Sequence, residues 1–424
     1  MEHKTEGITK TQIAVLSIGA GICVANIYYS QPILSAIAKD MHLLEKQVGN
    51  LPVLSQLGYG LGLLLLTPLG DKIERRKLTV ILQILLIAAL GAISVIHSLA
   101  GLYALSFLIG CLAVATQVLV PMAAAMANKD KGKVVGIVFT GLIIGILSAR
   151  IFSGYIAEWL SWRHVYGLSA CMMAGTTLMV AFMLPKVEPT YHDNYIKLLS
   201  STLIQFKRFA LLRRLSFLVA FAFGTFSSFW TTLTFHLSGA PFHYHSDIIG
   251  LFGVLGIGGV LVAPVFGRMA DKMNPAKNQL FTVSFLIAGV LLIQIFPYSL
   301  VAFIITVILL DVGQQATQVT NLAQIYKLDE SAHSRINTMF MTCSFIGGAV
   351  GTWVGVKSWI FGGWNLVGWQ LLLWACIAMA IAVWGYCVSI NHSYQLCDEM
   401  IHNTVLKSDT QESQPMTYEE LNPP

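Results

Sequence analysis

The sequence predicts an all-α polytopic membrane protein of twelve transmembrane helices arranged as two six-helix bundles. Three observations carry this. Only 11% of the 424 residues are charged, 55% are hydrophobic, and the mean hydropathy is +0.69. Soluble domains carry roughly 25% charged residues, and so few charges could not keep this much apolar surface in water. Apolar stretches near the ~20 residues that span a bilayer recur along the chain. A basic segment, residues 186–213, separates six of them from six more.

The first half holds stretches at 12–36, 48–69, 78–97, 101–126, 134–158 and 164–185. The second holds 214–238, 247–268, 278–297, 299–325, 336–359 and 366–390. The first stretch is too long for a signal-peptide core and carries Asn26, Tyr28, Tyr29 and Gln31, so it reads as a retained span. Residues 1–11 form a short polar start. The middle segment carries Lys186, Lys197, Lys207, Arg208, Arg213 and Arg214, and its run Ile196–Phe209 has the pattern of an interfacial amphipathic helix or a plain linker. Residues 392–424 are polar and read as a disordered tail. The cysteines lie mostly within spans, without C-x-x-C pairs, and read as packing residues.

Lys and Arg set the orientation. With the N-terminus inside, the inner loops collect Lys72, Arg75, Arg76, Lys77, Lys129, Lys131, Lys133, Arg268, Lys272, Lys277, Lys327 and Arg335. The outer loops keep Lys39, Lys46, Arg163 and Lys357. Both termini and the middle segment therefore fall on the cytoplasmic side. The bases sit in short clusters between apolar runs, which excludes a nucleic-acid partner. The lipid bilayer is the expected surrounding.

The loop after span 2 reads Thr67-Pro-Leu-Gly-Asp71-Lys-Ile-Glu-Arg75-Arg76-Lys77. The loop after span 8 reads Gly267-Arg-Met-Ala-Asp271-Lys272-Met-Asn-Pro-Ala-Lys277. Both place Asp fifth, a base next and Lys eleventh, at the same point of each half. This is the trace of a duplicated bundle, a common transporter construction.

These loops resemble the signature of the major facilitator superfamily, roughly G-x-x-x-D-x-x-G-R-R-K. Asp71, Arg75, Arg76 and Lys77 match, while Thr67 and Glu74 stand where glycines are usual; the second copy keeps Gly267 and Asp271. Asn26-Ile-Tyr-Tyr-Ser-Gln-Pro32, Ile146-Leu-Ser-Ala-Arg150 and Asn321-Leu-Ala-Gln-Ile-Tyr326 are similar to a bacterial drug-efflux, drug:proton antiporter-like branch. The branch often has an Arg in span 4, which residues 106–127 lack. The resemblance implies the major facilitator fold in the bacterial inner membrane and a small-molecule substrate. It also implies a proton as coupling ion and a monomer without a cofactor. It gives the loops a gating role: Asp71 locking against the start of span 11 near Arg335, with Arg75 and Arg76 beside it. Asp271 would lock against the start of span 5 near Lys133. A helix N-terminus offers free N–H groups and partial positive charge to such carboxylates.

Two charges lie deep in the spans: Arg150 in span 5 and Asp311 in span 10. Intramembrane charges are costly and mark functional sites. Arg150 borders a small-residue stripe, Gly141, Gly145, Ala149 and Ser153, that lets another helix approach. Its fork suits a carboxylate or other anion. Asp311 begins a polar face with Gln314, Gln315, Gln318 and Asn321, which suits a cavity and not lipid. A carboxyl that alternately gains and loses a cationic neighbour changes its affinity for a proton, so Asp311 is the candidate proton carrier. Asn26 and Tyr29 in span 1, Gln117 in span 4 and Gln56 in span 2 are further cavity candidates, with span-7 aromatics Phe226, Phe229, Trp230 and Phe235. Gly347, Gly351 and Gly355 in span 11 form a packing stripe. His236, His243, His245 and Asp247 read as ordinary residues at an outer loop. No nucleophile–base or metal-ligand motif is present, so an enzyme is not expected. The expectation is export of small amphipathic molecules, with import or facilitated passage of an organic anion as the alternative.

Overall fold

The computed structural model describes residues 8–127, 130–189, 194–256, 274–329 and 332–412, with side chains described to residue 390. All regular structure among them is helical. Among the described residues, nine helices are long and apolar enough to cross a membrane, and two shorter apolar ones accompany them.

The first helix, α1 (Lys10–Ala25), opens with a reciprocal cap. The Gln12 N–H donates to the Thr9 hydroxyl, and the Gln12 side chain accepts from the Thr9 N–H. It ends well before the expected boundary. Asn26 donates its amide to the carbonyls of Ile22 and Cys23 at 2.9 and 3.1 Å, satisfying groups that the helix end leaves open. A 3-10 turn, Gln31–Ile33, then leads into α2 (Leu34–Asp40). Pro32 has no N–H to continue a ladder. The first predicted span is thus a broken helix.

The rest of this half is α3 (Glu45–Val48), α4 (Asn50–Leu65), α5 (Leu69–Lys72), α6 (Arg75–Val95), α7 (Leu99–Ala113), α8 (Ala115–Met126), α9 (Lys131–Trp159) and α10 (Trp162–Met183). The amphipathic run forms α11 (Tyr195–Arg208). It buries Leu198, Thr202 and Gln205 while exposing Ile196 and Ile204. The second half has α12 (Ala210–Ser238), α13 (Ser246–Leu255), α14 (Pro275–Ile295), α15 (Leu300–Ile325) and α16 (His333–Glu412). α16 is two helical legs joined at Gly362 and Gly363, where Gly363 has φ 58°. That backbone region suits a residue without Cβ.

The tail corrects one expectation. Residues 392–412 continue the second leg as helix. No Gly or Pro occurs between Gly385 and Pro415, so polarity alone does not stop the helix there. Residues 413–424 lie outside the described part.

Small residues let the helices touch backbone to backbone. A Cβ on Gly21 of α1 would sit 2.6 Å from the Gly141 carbonyl of α9, and one on Gly351 of α16 would sit 2.5 Å from the Gly224 Cα of α12. Both glycine stripes read from the sequence are therefore helix seams. α14 and α15 are joined instead by buried polar pairs: Asn278 to Thr320 at 2.9 Å, Gln279 to Asn321 at 2.8 Å, and Thr317 to Thr282 at 3.0 Å. Large apolar side chains such as Phe182, Phe361 and Trp384 point outward, as a lipid-facing surface requires.

The halves meet on the side away from the basic loops. The Ser35 and Ser238 hydroxyls lie 2.8 Å apart, and the Trp359 indole donates to Glu45 at 2.6 Å. His245 stands 3.2 Å from Glu158. α9 and α13 close the same side, where a Cβ on Gly250 would fall 2.6 Å from the Arg150 carbonyl.

Candidate functional site

The break after α1 shapes the site. It sends Gln31 inward, between the halves. The Gln31 side-chain oxygen accepts from Arg150 Nε at 3.2 Å, and its carbonyl accepts from the Thr234 hydroxyl at 2.8 Å. Arg150 rises from α9 at 1% exposure. Its guanidinium carbon lies 3.9 Å from the Trp230 ring centre, 5.3 Å from Tyr28 and 5.9 Å from Phe226. These ring faces stabilise a cation that has left water. Nη2 is buried without a hydrogen-bond partner.

Asp311, on α15, is 3% exposed. Its Oδ2 is also buried without a partner, and among the described residues it makes no ion pair. A Cβ on Gly256 would lie 3.2 Å from its Oδ1, so the backbone after α13 packs close to this carboxylate. Both polar atoms of Gln314 are likewise buried and unpaired. Buried polar atoms are normally satisfied, so this cluster marks a place prepared for something else.

One central cavity is lined by Asp311, Gln314, Gln315 and Gln318 of the second half, with Arg150, Tyr28, Tyr59 and Gln117 from the first. Phe223, Phe226 and Phe345 supply apolar wall. Gln117 donates to the Tyr59 hydroxyl at 3.0 Å, and Gln318 to the Met341 sulfur at 3.6 Å. A second cavity shares Gln117 and lies between the basic-side ends of the halves, bordered by Thr67, Pro121, Tyr326, His333 and Asn337. Gln117 thus separates the central cavity from a second one on the side of the basic loops, while contacts between the halves close the opposite side.

Several sequence candidates stand elsewhere. Asn26 accepts from the Ser169 hydroxyl at 2.8 Å, and Tyr29 packs on Phe152. Both lie outside the cavity, within the first bundle. The reason is the helix break: counting a regular turn through Asn26 selects the wrong tyrosine, and Tyr28 is the one that faces inward. Asn321 turns away to Gln279, so the polar face of α15 divides between cavity and helix seam. On α12, Phe226 and Trp230 flank Arg150, whereas Phe229 and Phe235 pack on Trp364 and Trp359. Gln56 bridges the halves through the Thr352 hydroxyl at 3.4 Å. His236, read as a loop residue, is buried against Trp364 and Phe303 and bonds the Pro297 carbonyl at 2.9 Å. The double role of Gln31 leaves one signal in the sequence, an amide beside Pro32 within an apolar span.

In the basic loop, Asp71 pairs with Arg75 at 3.1 Å, and Arg75 also donates to the carbonyls of Gly70 and Pro121. Arg76 donates to Ala181 and Leu184 carbonyls, anchoring the end of α10. Arg335 donates to the Ser201 hydroxyl of α11 at 3.4 Å. Asp271 lies outside the described residues.

Two helical halves around a buried charged cavity, sealed on one face, define a multi-pass membrane transporter. The chain belongs to the Major Facilitator Superfamily, whose family model matches residues 16–352. It is 37% identical over 365 residues to the uncharacterized transporter YgaY of Escherichia coli O157:H7, covering 86% of this chain and 93% of the relative. It is 28% identical over 355 residues to the "Probable transporter SCO4007" of Streptomyces coelicolor, covering 83% and 82%. Its fold is similar to that of the nucleoside transporter NupG (D323A mutant), with a TM-score of 0.70 at 14% identity, over 88% of this chain and 97% of that one. The protein is accordingly a transporter and not an enzyme.

Proposed function

We propose that the protein is a proton-coupled exporter of small amphipathic molecules that works by alternating access. The observation that carries this reading is the pair Arg150 and Asp311. They stand on opposite halves, face one cavity and leave Nη2 and Oδ2 unpaired. Rocking the halves changes the separation of the two charges, and with it the proton affinity of Asp311. Gln315, Gln318 and Gln117 offer further polar contacts to a solute. The solute enters from the side of the basic loops, which the positive-inside rule makes cytoplasmic, and both termini lie there too. The protein acts as a monomer in the bacterial cytoplasmic membrane, with the drug-efflux-like sequence features favouring export.

The loops act as the cytoplasmic gate. With the opposite side sealed, Asp71 is free of α16 and held by Arg75. When the cytoplasmic side closes, Asp71 meets the start of α16 near Arg335, while Arg75 and Arg76 keep the loop anchored. Asp271 is assigned the mirror-image role from the sequence repeat alone.

Transport of a panel of labelled amphipathic solutes in inverted and right-side-out vesicles, under an imposed pH gradient, tests this reading. Acid-interior inverted vesicles should accumulate substrate, and Asp311→Asn should abolish the dependence on the gradient. Uptake into right-side-out vesicles driven by inward protons would overturn export. Gradient-independent movement of an organic anion would favour the alternative, which rests on the unpaired Arg150 Nη2.

A further inference from the structure

The signs and positions of the unpaired groups narrow the ligand. Arg150 and Asp311 make no ion pair with each other, although both border the same cavity and both are nearly fully buried. A buried charge without a partner is strongly unfavourable. Arg150 is partly supported by Gln31 and by the ring faces of Trp230 and Tyr28, which lets the cation persist without a carboxylate. Asp311 has no corresponding donor among the described residues, and the neighbouring Gln314 amide is itself unpaired.

A purely anionic solute would satisfy Arg150 but would face the Asp311 carboxylate whenever Asp311 is ionised. A purely cationic one would satisfy Asp311 but would face the guanidinium. A solute carrying both charges satisfies both poles. Phe223, Phe226 and Phe345 would then receive its apolar body.

We propose that the central cavity takes a zwitterionic amphipathic solute of the α-amino-acid type. Its carboxylate meets the Arg150 guanidinium, its ammonium meets the Asp311 carboxylate, and its apolar side group lies against the phenyl rings. This rests on the reading of the cavity as the transport site. The planar guanidinium fork favours a carboxylate, and the free carboxylate oxygen favours an N–H donor.

Binding to the purified full-length protein in nanodiscs at pH 8, read by calorimetry and thermal shift, tests the assignment. L-leucine and L-phenylalanine are compared with their decarboxylated amines, isoamylamine and phenethylamine. They are also compared with the acids lacking the amine, 4-methylvalerate and 3-phenylpropionate. At least one amino acid should bind about tenfold or more tightly than both of its single-charge analogues, as expected when one charge-assisted hydrogen bond is lost. Arg150→Gln should erase its margin over the amine, and Asp311→Asn its margin over the acid. A wild-type protein that, for both amino acids, binds the matching amine or acid as tightly as the amino acid itself overturns the proposal. So does a folded, monodisperse protein with no saturable binding of either amino acid. The wild-type comparison needs no variant to fold. If a singly charged analogue is nevertheless bound and moved by the proton gradient, the transporter reading stands while the zwitterion assignment falls.

Discussion

Thr234 and Gln31 join the two halves: the Thr234 hydroxyl donates to the Gln31 carbonyl at 2.8 Å. The side chain of the same glutamine holds Arg150 Nε. One residue therefore touches both the seal on the outer side and the buried cation. In the proposed cycle, opening the seal would pull on the group that orients Arg150, linking access to the site.

The seal can be locked. The Ser35 and Ser238 hydroxyls are 2.8 Å apart, close enough for cysteines at these positions to reach disulfide geometry. In a background without the native cysteines, Ser35→Cys with Ser238→Cys should crosslink on oxidation and stop transport, and reductant should restore it. Full transport by the crosslinked protein, measured in vesicles, would show that the halves need not part there.

Close helix approach sets a steric limit. A side chain on Gly145 would strike the backbone of Gly21, whereas one on Gly175 would meet nothing within 4 Å. Gly145→Val should lower stability by about 1–3 kcal/mol or more, as overpacking does, and reduce folded yield by fluorescence-detected size exclusion. Gly175→Ala should be nearly silent. Equal behaviour of the two would contradict the seam between α1 and α9.

Asp40, at the end of α2, accepts from the Arg163 guanidinium and the Trp162 indole. Arg163, then Trp162, hold its carboxyl below the usual carboxylate range. A lowered folded pKa gives stability above the unfolded value of about 3.9, lost as pH falls through the folded value. The pair is partly exposed, so Asp40→Asn should cost only about 0.2–1 kcal/mol at pH 7. In thermal melts the gap to wild type should narrow below about pH 4. A gap that widens on acidification would give the interaction the opposite sign.

Asp71→Asn removes the partner of Arg75 and, in the proposed cycle, the carboxylate that meets α16. Transport should fall by about tenfold or more, the equivalent of losing roughly 1.4 kcal/mol at the limiting state, with expression unchanged. Wild-type transport rates in this variant would restrict the loop charges to setting topology.

Sequence patterns revealed the helical architecture because lipid imposes a strong signal: spans must be long, apolar and nearly free of charge. Arg150 and Asp311 stood out for the same reason, and the structure places both on one cavity. What the pattern could not supply was the path of a chain that stops being helical. Asn26 reads as a polar residue on a helix face, yet it caps the end of α1, and this shifts the inward position from Tyr29 to Tyr28. Asn321 shares a face with Gln318 but is taken by Gln279 across a helix seam. Such choices depend on partners distant in sequence, which periodicity does not encode.

The polar ladder between α14 and α15 carries a consequence for biogenesis. Asn278, Gln279 and Thr282 would each meet hydrocarbon if α14 entered the bilayer alone, and Thr317, Thr320 and Asn321 would do so in α15. Their mutual hydrogen bonds offset part of that cost, and only when both helices are present. The two helices are thus suited to leave the translocation machinery as a hairpin. In a glycosylation-mapping assay, α14 alone should insert less completely than α14 followed by α15; equal insertion would mean that the ladder forms only after each helix has partitioned by itself.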